Sequence, residues 1–199
     1  MITNNFKNSE LGPIPNDWDV KTLGEICVKI TDGSHESPKE SKTGYYMPSV
    51  KDMTSMGFDF SDCKKISQDD YNRLCRNGCK PEIGDVLIAK DGSILKYCFC
   101  VENDLPIVIL SSIAIIKPDK SISGTYLAHY FSQKEFVASV IANNKTGTGV
   151  PRIVLRNFEK ILVAFPKELP EQRRIAAALS DIDALIENLD ALIDKKWLI

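Results

Sequence analysis

The sequence is poor in the residues that most often do chemistry. It has two histidines, His35 and His129, and its six cysteines, at 27, 63, 75, 79, 98 and 100, include no C-x-x-C pair. Two histidines and scattered thiols do not make the ligand spacing of a zinc site. The thiols read instead as buried free cysteines of a reducing compartment. There is no H-E-x-x-H, and no Ser-His-Asp or Cys-His set that two histidines complete convincingly. Paired acids such as Asp69–Asp70 fall at a helix start, where they suit the helix dipole better than acid–base work. The stretch NNKTGTGVPRI fits neither G-x-x-x-x-G-K-[ST] nor G-x-G-x-x-G after a strand, so it is not read as a nucleotide loop. Long apolar runs are missing too. The longest, Ile107 to Ile116, is interrupted by Ser111 and Ser112 and falls short of the roughly 20 residues that span a bilayer. The opening MITNNFKNSE lacks the apolar run of a signal peptide. These absences lead us to expect a cytoplasmic binding protein with no metal, no cofactor and no membrane partner.

An excess of one charge is also lacking. Twenty-five basic residues stand against 27 acidic ones, a net charge of −2. From residue 169 onward there are six acids and four bases, so the preceding part is balanced. A general polyanion-binding coat is excluded, and any nucleic-acid surface must gather its bases on one face. A length of 199 residues allows one good-sized core plus an appendage. Hydrophobic content of 43% and charged content of 26% are those of a globular protein.

What the sequence does have is a long, uninterrupted helical pattern at its end. Ile175, Leu179, Ile182, Ile186, Leu189 and Ile193 recur at alternating steps of four and three, a heptad seam. Ala178, Leu185 and Leu192 form a second row beside it. Three apolar rows exceed what an exposed helix carries, so the stripe calls for a cover. Pro170 suits the first turn, Glu171 the positive end of the dipole, and Lys195 and Lys196 the negative end. The cover is either a second helix, from another copy or another chain, or the helix's own domain. The spacing predicts a coiled-coil helix over 169–199 and a globular domain over 1–168.

That domain reads as β-rich, with closely spaced turns that favour antiparallel pairing. Leu11 to Trp18 is an extended arm anchored by Trp18, and a mixed apolar segment runs from Val20 to Ile30. A long Gly/Ser/Pro/Lys loop follows, in which Ser34, His35, Lys39, Lys42 and Tyr45 offer donors, charge and a stacking face. Strands are expected at Met47–Val50, at Lys64–Ile66 and at Val86–Ala89. The last would continue through a tight turn at Lys90–Gly92 into a hairpin partner, Ile94–Val101. Ile107–Ile116 reads as one buried strand. Ser67 is expected to cap a short helix, and one helix is expected over Thr125–Ala142, with His129 at or near the surface. After the loop that carries Lys145, Thr146 and Arg152, a short helix over Leu155–Ile161 leads to a strand at Leu162–Phe165. Backbone N–H groups in that Gly-rich loop offer an anion nest. The fold class is therefore α+β: a mixed, β-rich domain followed by the long helix.

Several stretches together resemble a known family. They are IPNDW, TLGEI with ITDGSH, EIGDVLIAKDGS, GTGVPRI and above all FPKELPEQRRIAAALSDIDALIENLDALIDKK. This looks like the DNA sequence-specificity subunit of type I restriction–modification systems, and the likeness covers nearly the whole chain. Such subunits carry two target recognition domains and two long helices that pair antiparallel as a spacer. This sequence, with one domain and one helix, resembles half of one. The resemblance implies a protein without catalysis of its own. It would bind double-stranded DNA and select the site for a methyltransferase (M) subunit, which brings S-adenosylmethionine, and for a motor–nuclease restriction (R) subunit. It would pair as a homodimer through Ile175, Leu179, Ile182, Ile186, Leu189 and Ile193 to read a two-part inverted target. Three loops are the expected DNA contacts: Ser34, His35, Lys39, Lys42 and Tyr45; Lys90 and Ser93; and Lys145, Thr146 and Arg152. Arg152 leads, because it follows a rigid Val-Pro. The other readings are a helix-pairing protein that does not bind DNA, and a fragment of a nuclease or methyltransferase akin to a type II enzyme.

Overall fold

The computed structural model describes residues 5–92, 94–144 and 152–197. The chain opens with a hairpin of β1 (Phe6–Ser9) and β2 (Gly12–Pro15), which turns at Gly12 with φ +93°. The arm expected from Leu11 to Trp18 is thus half of a hairpin. β3 (Trp18–Thr22) leads into a single helical turn, α1 (Leu23–Ile26), and then β4 (Cys27–Asp32). Trp18 packs edge-on against Tyr126, with ring centroids 6.4 Å apart.

After the long loop come β5 (Tyr45–Tyr46) and β6 (Lys65–Ile66), which pair with each other. None of Met47–Val50, expected as a strand, forms one: β5 ends at Tyr46, Pro48 follows Met47, and Val50–Asp52 is a short 3₁₀ turn. α2 (Gln68–Arg76) starts as anticipated, with the Ser67 hydroxyl accepting the Asp70 N–H. β7 (Val86–Ala89), β8 (Cys98–Cys100) and β9 (Ile113–Pro118) complete a four-stranded antiparallel sheet in the order β4-β9-β7-β8. Its residues alternate between two buried faces. Val86, Ile88, Ala114 and Ile116 face the larger core, while Leu87, Ala89, Ile113 and Ile115 face a second cluster with Met53 and Phe99.

Two expected elements are broken at serines. The run from Ile107 to Ile116 is two pieces, because Ser111 donates its N–H to the Ser34 carbonyl and the Ser112 hydroxyl accepts the Val50 N–H. The helix expected over Thr125–Ala142 is α3 (Gly124–Phe131) and α4 (Lys134–Asn144). Between them the Ser132 hydroxyl donates to the Ala128 carbonyl, a local bond that competes with helix continuation. The partner of β7 is also shorter than Ile94–Val101. Ile94 and Leu95 fold into the core instead, with Leu95 at φ +54°.

α5 (Leu155–Phe158) and β10 (Leu162–Pro166) come last before α6 (Leu169–Trp197). β10 pairs antiparallel with β3, which ties the start of the chain to the root of α6. Gln172 fixes that root. It is fully buried, its Oε1 accepts the Ser123 N–H at 2.8 Å, and its Nε2 donates to the carbonyls of Ser121 and Pro166. One amide thus holds α6, the start of α3 and the end of β10 together. Replacing Gln172 by Leu removes three hydrogen bonds, one to the buried Pro166 carbonyl and two to part-buried groups of Ser121 and Ser123, at about 1 kcal/mol each. Urea unfolding of Q172L should show a loss of about 2–4 kcal/mol; a loss under about 0.5 kcal/mol would contradict this role.

Candidate nucleic-acid interface

The loop after β4 is firmly held. Ser34 is buried, its hydroxyl donates to the Glu36 carbonyl and accepts the Glu36 N–H, and its backbone bridges to Leu110. Glu36 takes the Arg73 guanidinium, Lys64 donates to Ser37 and Pro38, and Tyr45 stacks on Tyr71 at 3.9 Å. Gly33 is pressed against the backbone at Ile109 and Leu110, where a Cβ would meet the Ile109 carbonyl oxygen at 2.2 Å. The turn D-G-S therefore needs glycine for close approach. Between these pins, His35, Lys39 and Lys42 remain exposed.

Two of the anticipated loops meet the third stretch through carboxylates that the sequence reading did not single out. Lys90 is buried, yet it continues the apolar strand β7. Its ammonium lies 3.3 Å from Asp32 and 3.4 Å from Asp91. Asp32 also contacts the His35 ring at 3.3 Å, and Asp91 receives Arg152 through Nε at 2.9 Å and Nη2 at 3.2 Å. The backbone reinforces this: Ile153 donates its N–H to the Lys90 carbonyl, and Asp91 bridges Arg152. The result is a continuous chain, His35–Asp32–Lys90–Asp91–Arg152. Its middle is buried and its two ends are open to solvent, His35 at 76% and Arg152 at 60% side-chain exposure.

Of the residues anticipated as contacts, then, Ser34 and Lys90 are engaged inside the protein and Tyr45 is half-buried in a stack. His35, Lys39, Lys42 and Arg152 present donors outward. Ser93, Lys145 and Thr146 lie outside the described residues. A lysine that extends a buried strand requires an acidic partner, and that signal would have found Asp32 and Asp91. The thiols offer no alternative chemistry here. Burial pushes Cys63 up to about 11 and Cys27 up to about 12, and also raises Cys79, Cys98 and Cys100. At neutral pH these five are protonated.

α6 has two different sides. The row that meets the domain is Gln172, Ala176, Ser180, Asp183 and Glu187. Ala176 is buried in the core, Ser180 and Asp183 contact His129 at 2.9 and 3.6 Å, and Glu187 accepts from Ser55 at 3.4 Å. His129 is thus half-covered by α6 and does not lie open on the surface. The apolar seam lies about 100° around the helix from this row, at about 100° per residue. Ile175 alone of the seam is half-buried, packed on the globular core. Leu179, Ile182, Leu185, Ile186, Leu189, Leu192 and Ile193 are between 40% and 62% exposed.

Comparison with known proteins adds a family. A model of the type I restriction modification DNA specificity domain matches residues 15–195. The chain is similar to the type I restriction enzyme MjaVIII specificity subunit of Methanocaldococcus jannaschii, 27% identical over 194 residues, covering 96% of this chain and 41% of that protein. The MjaIX specificity subunit of the same organism is 26% identical over 192 residues, covering 92% of this chain and 42% of its own length. Among solved structures, the HsdS subunit from Thermoanaerobacter tengcongensis superposes with a TM-score of 0.63 at 21% identity, over 93% of this chain and 42% of that one. The chain therefore spans under half the length of the relatives it matches.

Proposed function

This chain belongs to the type I restriction modification DNA specificity family, and on that premise we propose that it selects DNA sites as one half of a two-headed reader. In this reading the globular domain over 1–168 is a target recognition domain for double-stranded DNA. The helix from 169 is a spacer that pairs with the same helix of a second copy. The chain supplies no catalysis. Methyl transfer and cleavage belong to partner M and R subunits directed to the chosen site.

The observation that carries the pairing is the orientation of α6. Among the described residues its own domain takes the polar row and leaves seven apolar residues exposed, which supports a cover other than that domain. Leu179, Ile186 and Ile193 can meet Leu189, Ile182 and Ile175 of a second, antiparallel helix about a common centre at Ala184. In that register Arg174 falls level with Asp194 of the second copy but Asp181 with Glu187, so the apolar seam, and not charge, carries the pairing. Two copies so joined form a closed twofold dimer with one head at each end. Such a dimer would read two half-sites in inverted orientation.

The DNA reading is supported by exposed cations: Lys39 and Lys42 on the pinned loop after β4, and Arg152 at one end of the buried cluster that carries His35 at the other. Loops pinned to a sheet place donors with little ordering cost on binding. Electrophoretic retardation of a mixed-sequence duplex tests it. Binding should weaken by about tenfold or more as salt rises from about 50 to about 200 mM, as several phosphate contacts require. A chain that retards no duplex at the lower salt would leave only a helix-pairing protein. The pairing has its own test. Leu189→Asp puts a charge in the middle of the seam and should convert a dimer to a monomer in light scattering, with the circular dichroism of the domain unchanged. A variant that stays dimeric would place the contact elsewhere.

A further inference from the structure

We propose that Arg152 reads a guanine base, and that Asp91, itself held by the buried Lys90, is the positioning residue that aims it. The inference rests on the DNA-reading proposal above and goes further, to the chemistry of one contact.

Three features of the cluster point to a base and not to a phosphate. The first is charge. Asp32, Lys90, Asp91 and Arg152 are two acids and two bases within salt-bridge distance of one another. Arg152 thus has its countercharge already, and a phosphate gains little from a neutralised pair. The second is geometry. Asp91 grips the guanidinium through Nε and Nη2, at 2.9 and 3.2 Å. A guanidinium carries five N–H donors in a flat fork, and those on its Nη1–Nη2 end are not the ones Asp91 uses. That end matches the paired acceptors O6 and N7 of guanine in the major groove. A fork fixed in one plane favours such a two-bond match over the loose, isotropic contact that suffices for a phosphate.

The third feature is rigidity. The carboxylate of Asp91 is mostly buried, with 15% side-chain exposure, and Lys90 beneath it is at 6%. The backbone at 91 and 152 is bridged, and the Ile153 N–H is bonded to the Lys90 carbonyl. Arg152 therefore starts from a strand-like anchor and not from a free loop tip. A long side chain held this way loses little further rotamer freedom on meeting a base.

The experiment is selection of binding sites from a random duplex library by the intact chain, repeated with R152K, R152A and D91N, with salt dependence measured on the selected duplex. The wild type should enrich a sequence that includes an invariant G·C pair. R152K and R152A should both lose preference at that one pair, on the order of ten- to a hundredfold, and keep the others, because lysine retains the charge but not the fork. D91N should relax the same pair and steepen the salt dependence, since the cluster then carries one more net positive charge. The proposal is overturned if R152K binds like the wild type while R152A weakens all duplexes equally and lowers the salt slope by about one. That is the behaviour of a phosphate contact. It is also overturned if both variants keep the wild-type sequence preference. If the wild type binds duplexes without enriching any sequence, DNA selection itself fails and this inference falls with it.

Discussion

Seven apolar side chains on one side of α6 stand 40% to 62% exposed among the described residues, and the domain within reach makes its polar contacts to a different side of the helix. This is the constraint on which the rest of the account depends. Water does not tolerate such a stripe cheaply. Each residue is about half exposed, so covering it recovers roughly 1 kcal/mol. Two helices covering each other recover on the order of 10 kcal/mol, the same order as the cost of bringing two bodies together. In the proposed dimer the two terms nearly balance, so pairing would be sensitive to concentration. The root of the rod is fixed by different means. Gln172 and Ala176 are buried where β10, α3 and α6 converge, so the direction in which the rod leaves the head is set by buried hydrogen bonds and packing. A rigid root and a sticky far side together make α6 a spacer in the proposed dimer.

The same division between fixed base and exposed tip recurs at the proposed reading edge. Lys90 is a charge inside the sheet, and it is tolerable there because Asp32 and Asp91 flank it. Those acids in turn hold His35 and Arg152, which are the parts open to solvent. A near-neutral chain can bind a polyanion only if its exposed cations are gathered. The net charge of −2 makes this a requirement and not an ornament. In the proposed reading the buried acids serve geometry by holding Arg152 toward a base, and the exposed Lys39 and Lys42 of the loop after β4 serve affinity.

Much of this was legible in the sequence because the signals were local. The heptad steps gave α6, Ser67 gave the start of α2, and the runs VLIA and LVAF gave β7 and β10. The elements that were misread turn on contacts between distant residues or on serine side chains. Ser111 and Ser112 look like a harmless interruption in an apolar run, but their bonds go to Ser34 and Val50. Ser132 splits a helix whose apolar periodicity runs straight through it. Asp32 and Asp91 each precede a glycine, and D-G reads as a turn, so their roles as partners of Lys90 and Arg152 were hidden. Asp91 and Arg152 lie 61 positions apart, and no pattern of period two or 3.6 connects them.

The most direct test of the covered stripe is hydrogen exchange along α6 at several protein concentrations. A lone helix arm beyond Glu187, the last residue of the row that meets the domain, opens easily, so its amides exchange quickly whatever the concentration. If the stripe lies against a second copy, protection over residues 188–193 should rise with concentration, while the amides of the buried sheet strands β7 and β9 stay unchanged. Exchange over 188–193 that is fast and the same at every concentration would contradict the account.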